Sequence, residues 1–172
     1  KFHGPKGVGF LYASTGDFDS YLHGGDQEQK KRAGTENLAA IVGMVAALKE
    51  DLNNQAKHYQ KLSALKSAFL EEIADLDYYL NESQDQLPYV LNIGFPGQKN
   101  DLLLLRLDLE GISISTGSAC TAGIVQTSHV LEAFYGPDSH RLKESVRISL
   151  SPLNTEEELK QLAQTLKNII GD

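Results

Sequence analysis

Hydrophobic positions recur at helical spacing in much of the first half of this chain and fall into short strand-like runs in the second half. Apolar residues spaced three and four apart predict one helix over residues 38–48 and another over residues 58–76. Thr35 is the predicted N-cap of the first helix, because Glu36 then stands in its first turn. The polar residues 51–55 predict a junction between two structural units.

Strands are predicted where short apolar or alternating runs end at turn residues. The first run contains almost no polar residue, which predicts a strand buried on both faces. The predicted strands cover residues 8–12, 78–80, 89–95, 112–116 and 146–150.

Three further helices are predicted between and after these strands. A leucine-rich helix over residues 102–109 has Asn100 or Asp101 as its cap, and a short helix covers residues 128–135. The last helix opens with the capping box of residues 155–158 and has inward positions at Leu159, Leu162, Ala163, Leu166, Ile169 and Ile170. This interleaving predicts a compact α/β or α+β unit.

Composition and charge narrow the classes of function. The 172 residues suffice for one good core, or for a small domain plus part of another. The net charge of -7 argues against a nucleic-acid-binding surface. The apolar run at residues 38–48 is shorter than the roughly 20 residues of a membrane span. The single cysteine excludes an intramolecular disulfide and fits a reducing cytoplasm.

The only cysteine, Cys120, follows the predicted strand 112–116 in a segment of small residues that begins at Gly117. A lone cysteine is commonly a buried packing residue. Here its neighbours are serine, threonine, alanine and glycine, which build no apolar pocket, and no acidic residue adjoins it to raise its pKa. Both a structural and a nucleophilic role for Cys120 are open on these grounds.

For three other residues, the sequence gives weaker evidence of a chemical role. Arg147, in the middle of a predicted strand, is either a surface arginine or a bidentate clamp for a carboxylate. Thr35 is a plain N-cap or a donor to an anion at a helix N-terminus. Lys1 is a terminal residue, or a phosphate or Schiff-base lysine. The histidines and the lone cysteine make no metal-ligand spacing, so we expect no metal site.

Four motifs, taken together, resemble the NifS/IscS type of cysteine desulfurase. They are the segment that opens with Lys1-Phe-His-Gly-Pro-Lys-Gly, the Gly-Gly-x-Gln-Glu…Arg-Ala-Gly-Thr-Glu-Asn segment, Ser-Thr-Gly-Ser-Ala-Cys-Thr-Ala-Gly, and Val-Arg-Ile-Ser-Leu…Asn-Thr-Glu-Glu-Glu. They stand in the family's order and span essentially the whole chain. The resemblance implies the class V aminotransferase fold, which is a fold-type I α/β fold, and dependence on pyridoxal 5'-phosphate.

The resemblance also implies roles for four residues. Lys1 matches the lysine that binds the cofactor covalently, and Thr35 matches the threonine that reaches the cofactor phosphate of a partner subunit. Cys120 matches the cysteine that takes sulfur from the substrate L-cysteine as a persulfide. Arg147 matches the arginine that holds the substrate carboxylate. The loop type is that of the subgroup with the longer, mobile cysteine loop.

The resemblance further implies how the chain is organised and what it meets. Residues 1–51 would be a remnant of the large cofactor-binding domain, and residues 52–172 the small α/β domain. We expect a C-terminal portion that, alone, neither retains pyridoxal phosphate nor turns over cysteine. The longer enzyme would be a cytoplasmic homodimer that passes sulfur to acceptor or scaffold proteins, with no nucleic acid and no membrane as partner.

Two other functions remain open at this point. One is a selenocysteine lyase or an aminotransferase on the same fold. The other is a non-catalytic module whose cysteine segment only docks a sulfur carrier.

Overall fold

A computed structural model describes residues 2–83, 85–117 and 127–171. The chain divides into two compact units, Lys1–Gln55 and Ala56–Asp172. Helix and sheet are mixed, and every strand among the described residues belongs to the second unit. No helix in the described part of the chain is long and apolar enough to cross a membrane.

A single helix, α1 (Leu38–Glu72), replaces the two helices that the sequence predicts. The prediction of two separate helices is wrong, because the segment 51–55 between them is helical as well. This segment contains no glycine or proline, so the helical backbone hydrogen bonds continue through it. Its polar side chains lie on the surface of the helix. The boundary between the two compact units therefore falls inside a continuous helix.

The N-cap of α1 is Asn37 and not Thr35. The Asn37 side chain accepts a hydrogen bond from the Ala40 N–H at 3.2 Å, and its carbonyl accepts one from Ile41 N–H at 2.9 Å. Asparagine is as good an N-cap as serine or aspartate. Asn37 also directly precedes Leu38, the first apolar residue of the helix. Thr35 lies two residues earlier and is exposed.

The predicted buried strand at residues 8–12 is also wrong. These residues form no strand, and Phe10, Leu11 and Tyr12 are 67%, 75% and 83% exposed. A strand needs a neighbour that takes up its backbone N–H and C=O groups. No described residue pairs with this segment.

The second unit is built on a four-stranded antiparallel sheet. Its strands are β1 (Tyr79–Leu80), β2 (Val90–Gly94), β3 (Ser115–Thr116) and β4 (Ser145–Ser149). They lie in the order β1-β2-β4-β3. The helices of this unit beyond α1 are α2 (Asn100–Leu109), α3 (His129–Tyr135), α4 (Arg141–Glu144) and α5 (Glu156–Gly171). All four strands predicted here are confirmed in position, although β1 and β3 have only two residues each.

One face of the sheet forms the core. Leu91 lies opposite Ile148, and Ile93 lies opposite Val146, so these four side chains point to the same side. All four are buried. They are covered by the C-terminal half of α1, the residue that follows it, α2 and α5. The covering residues are Leu65, Phe69, Ile73, Leu103, Leu107, Leu159, Leu162, Ala163, Leu166 and Ile169.

Asn100 is not the cap that the sequence suggests for α2. It is buried inside the first turn, and its Nδ2 donates to the carbonyls of Leu142 and Ser145 at 3.2 and 3.0 Å. Asp101 Oδ1 accepts from Leu102 N–H. Asn100 therefore anchors α2 to the junction between α4 and β4, where its amide donates to one backbone carbonyl on each side.

The capping box at the start of α5 is confirmed in both directions. Thr155 Oγ1 accepts from the Glu158 N–H at 3.3 Å, and Glu158 Oε2 accepts from the Thr155 N–H at 3.0 Å. Hydrogen bonds from the Asn154 side chain and from the Thr155 backbone lower the pKa of Glu158. A depressed carboxyl pKa stabilises the fold above the unfolded pKa, and this stabilisation is lost as pH falls through the folded pKa.

Replacing Thr155 with alanine should lower the free energy of unfolding by about 1 kcal/mol, because an orphan N–H of α5 loses its acceptor. Urea unfolding of Thr155→Ala measures this change. Thr165→Ala, in the middle of the same helix, is the matched control and should lose less. Equal losses would mean that the cap contributes no specific stabilisation.

Gly94 ends β2 beneath the ring of Tyr79. A Cβ at Gly94 would stand 2.3 Å from two ring carbons of Tyr79, and real Cβ atoms do not approach so closely. Tyr79 is the strand partner of Gly94, and its ring occupies the space that a side chain at position 94 would need. A side chain at this position must displace Tyr79.

Gly94→Ala should therefore destabilise the fold by about 1–3 kcal/mol, the range for overpacking a filled site. Urea unfolding again measures the change. Gly9→Ala serves as the control, because a Cβ there meets no heavy atom within 4 Å. An unfolding midpoint for Gly94→Ala that equals the parent value would contradict this packing.

Candidate functional site

The face of the sheet opposite the core carries a row of polar residues. Arg147 in β4 lies opposite Asn92 in β2 on one side and Ser115 in β3 on the other. Directly opposed residues of antiparallel strands point to the same face. Asn81 extends the row beyond β1, because its N–H donates to the Asn92 carbonyl at 2.9 Å.

Arg147 is partly buried, and one of its donors lacks an acceptor. Its Nε is inaccessible to solvent and makes no hydrogen bond within the described residues. A buried guanidinium nitrogen without an acceptor is costly, since arginine stays charged and can only donate. The site therefore fits an anion that accepts from Arg147, and a carboxylate matches the planar guanidinium best.

The chain runs from this row directly into the cysteine segment. Ser115 and Thr116 form β3, and Gly117 follows with a φ of +55°, a left-handed conformation that suits glycine. Cys120 itself lies outside the described residues. The chain is described again before α3, where Ser128 Oγ accepts from Leu131 N–H at 3.3 Å and so confirms the predicted start of that helix.

A hydrogen-bonded chain leads into the polar row from its β1 end. Arg141 Nη1 donates to Asn81 Oδ1 at 2.7 Å. Asn81 Nδ2 donates in turn to Asn92 Oδ1 and to Ser145 Oγ, both at 2.8 Å. The amide next to Arg147 is thus connected to a second arginine through one intermediate side chain.

Arg141 is held between two aromatic rings. Its guanidinium carbon lies 4.1 Å from the ring centre of Tyr79 and 4.6 Å from that of Tyr135. Tyr79 also donates its hydroxyl to Glu144 Oε2 at 3.2 Å, while Glu144 Oε1 accepts from Gly97 N–H. Burial raises the pKa of the Tyr79 phenol, and the Glu144 carboxylate raises it further, so the hydroxyl stays protonated and donates.

An open cleft of about 630 Å³ adjoins this stack. It is lined by Tyr79, Tyr135, Arg141 and Glu144 together with the turn at residues 136–140. The stacked Arg141 forms its wall and is held by the two rings and by Asn81. The cleft is therefore the space beside an Arg141 side chain whose position its neighbours already fix.

Two of the predicted site residues belong to the first unit. Lys1 lies outside the described residues. Thr35 is exposed and precedes Asn37, the cap of α1, in a segment that is tied down by Gln27 Oε1 accepting from Gly34 N–H at 3.1 Å. Thr35 thus offers an exposed hydroxyl close to a helix N-terminus, a place that favours an anionic phosphate group.

The structure adds residues that the sequence alone did not single out. Asn92 is a polar residue inside an apolar run, between Leu91 and Ile93, and that interruption was a readable signal. Asn81 and Arg141 lack such a signal, because they lie at the end of a very short strand and in a four-residue helix. Only strand register and packing bring them to the row.

Comparisons with known proteins agree with the family resemblance that the four sequence motifs indicate. The family model for aminotransferase class V matches residues 1–162. The chain belongs to the class V aminotransferase family. A solved NifS-like protein superimposes with a TM-score of 0.86 at 31% identity, over 99% of this chain and 44% of that one. A NifS-like protein from Rickettsia africae gives 0.75 at 27% identity, over 90% of this chain and 40% of that one.

The chain is also similar to curated proteins named as cysteine desulfurases. It is 42% identical over 174 residues to putative cysteine desulfurase IscS 1 of Bacillus subtilis, which covers 99% of this chain and 46% of that protein. It is 36% identical over 175 residues to cysteine desulfurase NifS of Azotobacter vinelandii, covering 99% and 43%. The chain thus spans less than half the length of these relatives. The resemblance to the NifS/IscS type and the predicted fold class are both confirmed.

Proposed function

We propose that this class V family member is the C-terminal part of a pyridoxal-phosphate-dependent cysteine desulfurase that takes sulfur from L-cysteine. The relatives named as cysteine desulfurases support the substrate. The observation that carries the proposal is the pairing of Ser115 with Arg147. This pairing places the buried Arg147 Nε, which has no acceptor among the described residues, beside the strand that precedes the cysteine segment.

Arg147 holds the substrate carboxylate in this proposal. Its Nε donor is already oriented and shielded from water, so a carboxylate that docks there gains a charge-assisted hydrogen bond with little reorganisation. Fixing the carboxylate restricts where the thiol of the bound cysteine can lie. Positioning of this kind makes attack by a second thiol effectively intramolecular.

Pyridoxal phosphate, when bound, supplies the electron sink for cleavage of the carbon–sulfur bond. Lys1 would hold it covalently. The exposed hydroxyl of Thr35 beside the α1 N-terminus fits its phosphate group, and the threonine would reach it across a homodimer.

Cys120 is the sulfur acceptor in this proposal. Its thiolate forms a sulfur–sulfur bond with the substrate sulfur as the carbon–sulfur bond breaks, and the substrate carbon takes up a proton. The products are L-alanine and a Cys120 persulfide, so no external oxidant or reductant is needed. A sulfur-acceptor or scaffold protein in the cytoplasm then takes the outer sulfur atom.

The experiment that tests the proposal is incubation of the holoenzyme that contains this chain with L-cysteine. L-Alanine should form in step with a mass gain of one sulfur atom on the peptide that carries Cys120. Alanine without a persulfide would favour another reaction of the same fold. A Cys120 variant that loses only affinity for a sulfur carrier, in a protein that forms no alanine, would favour the docking module.

A further inference from the structure

The orientation of the Asn92 amide follows from the chemistry of Arg141. A guanidinium has donors and no acceptor, so the Asn81 atom that contacts Arg141 at 2.7 Å must be the oxygen. Asn81 Nδ2 then faces Asn92 and Ser145. Because that nitrogen donates, the Asn92 atom at 2.8 Å from it must be Oδ1.

The Asn92 donor group consequently faces away from Asn81. The strand order is β1-β2-β4-β3, so β4 with Arg147 lies on the side of Asn92 opposite to Asn81. Asn92 Nδ2 and Arg147 Nε are therefore donors on neighbouring residues of one face, and the Ser115 hydroxyl flanks Arg147 on the other side. The two nitrogens can only donate hydrogen bonds, and the hydroxyl can donate one as well, so together they suit a ligand that only accepts.

We propose that Asn92 binds the same carboxylate as Arg147, as a second donor, and that Arg141 acts through Asn81 as the positioning residue that keeps this donor directed at it. The inference rests on the proposed function, because it takes the ligand of Arg147 to be the carboxylate of L-cysteine. A flipped Asn92 amide would present Oδ1 to that carboxylate and repel it. Arg141, acting through Asn81, thus determines whether Asn92 presents its donor or its acceptor to the carboxylate.

Asn92→Ala in the holoenzyme tests the donor. Removing a hydrogen bond to a charged group should raise KM for L-cysteine roughly tenfold. The inhibition constant of L-alanine, which has the carboxylate and lacks the thiol, should rise equally. The inhibition constant of ethylamine, which lacks the carboxylate, should stay unchanged. Asn168→Ala, an exposed asparagine on α5, is the matched control and should change none of these values.

Asn81→Asp tests the positioning role and leaves Asn92 in place. An aspartate still accepts from Arg141 but cannot donate, so Asn92 turns its Nδ2 toward the new carboxylate. KM should rise roughly tenfold. In an Asn92→Ala background, Asn81→Asp should add no further increase, whereas a purely electrostatic or structural effect of the new charge would add in full.

The variants also separate this inference from the function on which it rests. If Arg147→Ala raises the inhibition constant of L-alanine and Asn92→Ala does not, the second donor is wrong and the proposed function stands. If neither variant changes it, Arg147 does not hold the carboxylate and the proposed function itself fails at that residue. If Asn92→Ala does not fold, the effect of Asn81→Asp decides: an unchanged KM overturns the inference.

Discussion

Replacing Cys120 with alanine should abolish sulfur release from L-cysteine, with a loss of about three orders of magnitude or more in kcat. The reason is that the enzyme loses the atom to which the substrate sulfur is transferred, and a removed nucleophile is not replaced by its neighbours. Sulfide production in the presence of a thiol reductant measures the loss. Mass spectrometry of the peptide around residue 120 should find no persulfide.

Two comparisons make the Cys120 result specific. Cys120→Ser keeps the size and polarity of the side chain, and it should be as inactive as Cys120→Ala because a hydroxyl is a far weaker nucleophile than a thiolate at neutral pH. The visible absorbance of bound cofactor should remain in both variants. Substantial persulfide-dependent sulfide release by Cys120→Ala would assign sulfur transfer to another group.

Replacing Arg147 with alanine should raise KM for L-cysteine by roughly 10²-fold. The variant removes a charge-assisted contact with the substrate carboxylate, and hydrogen bonds to charged groups are worth about 1.5–3 kcal/mol each. Steady-state kinetics with L-cysteine measures the change. Arg147→Lys retains the charge without the planar fork, so it should recover only part of the affinity.

Arg106→Ala is the matched control for Arg147. Arg106 lies in the same unit, and its Nη1 donates to the Ile169 carbonyl at 2.8 Å near the end of α5. Its loss should affect stability and leave KM unchanged. If Arg106→Ala and Arg147→Ala raise KM equally, the effect is structural and Arg147 is not the carboxylate ligand.

Local signals predicted the elements whose ends are set by nearby residues. The last helix is confirmed with its capping box and its inward face, because Thr155 and Glu158 satisfy each other's N–H and Leu159 to Ile169 recur at helical spacing. Local polarity was a weaker guide inside α1. Its residues 51–55 are polar, yet a helix tolerates them wherever no proline or glycine interrupts the backbone.

Residues 8–12 failed as a strand for a different reason. Their apolar side chains predict burial, but strand formation depends on a pairing partner whose place in the sequence no local pattern fixes. Neither composition nor periodicity identifies that partner. Thr35 and Asn37 illustrate the same limit on a smaller scale, since both are good caps and only the backbone geometry selects one.

Residue types and their spacing are enough to identify the family, the lone cysteine after a strand, the arginine within a strand and the amphipathic faces that bury the core. These are properties of residue type and spacing along the chain. Folding is needed to bring Asn92 and Ser115 to either side of Arg147, and to let Arg141 set the direction of the Asn92 amide through Asn81. The reason is that strand register is chosen by the packing of the apolar face, and the polar face follows from that choice.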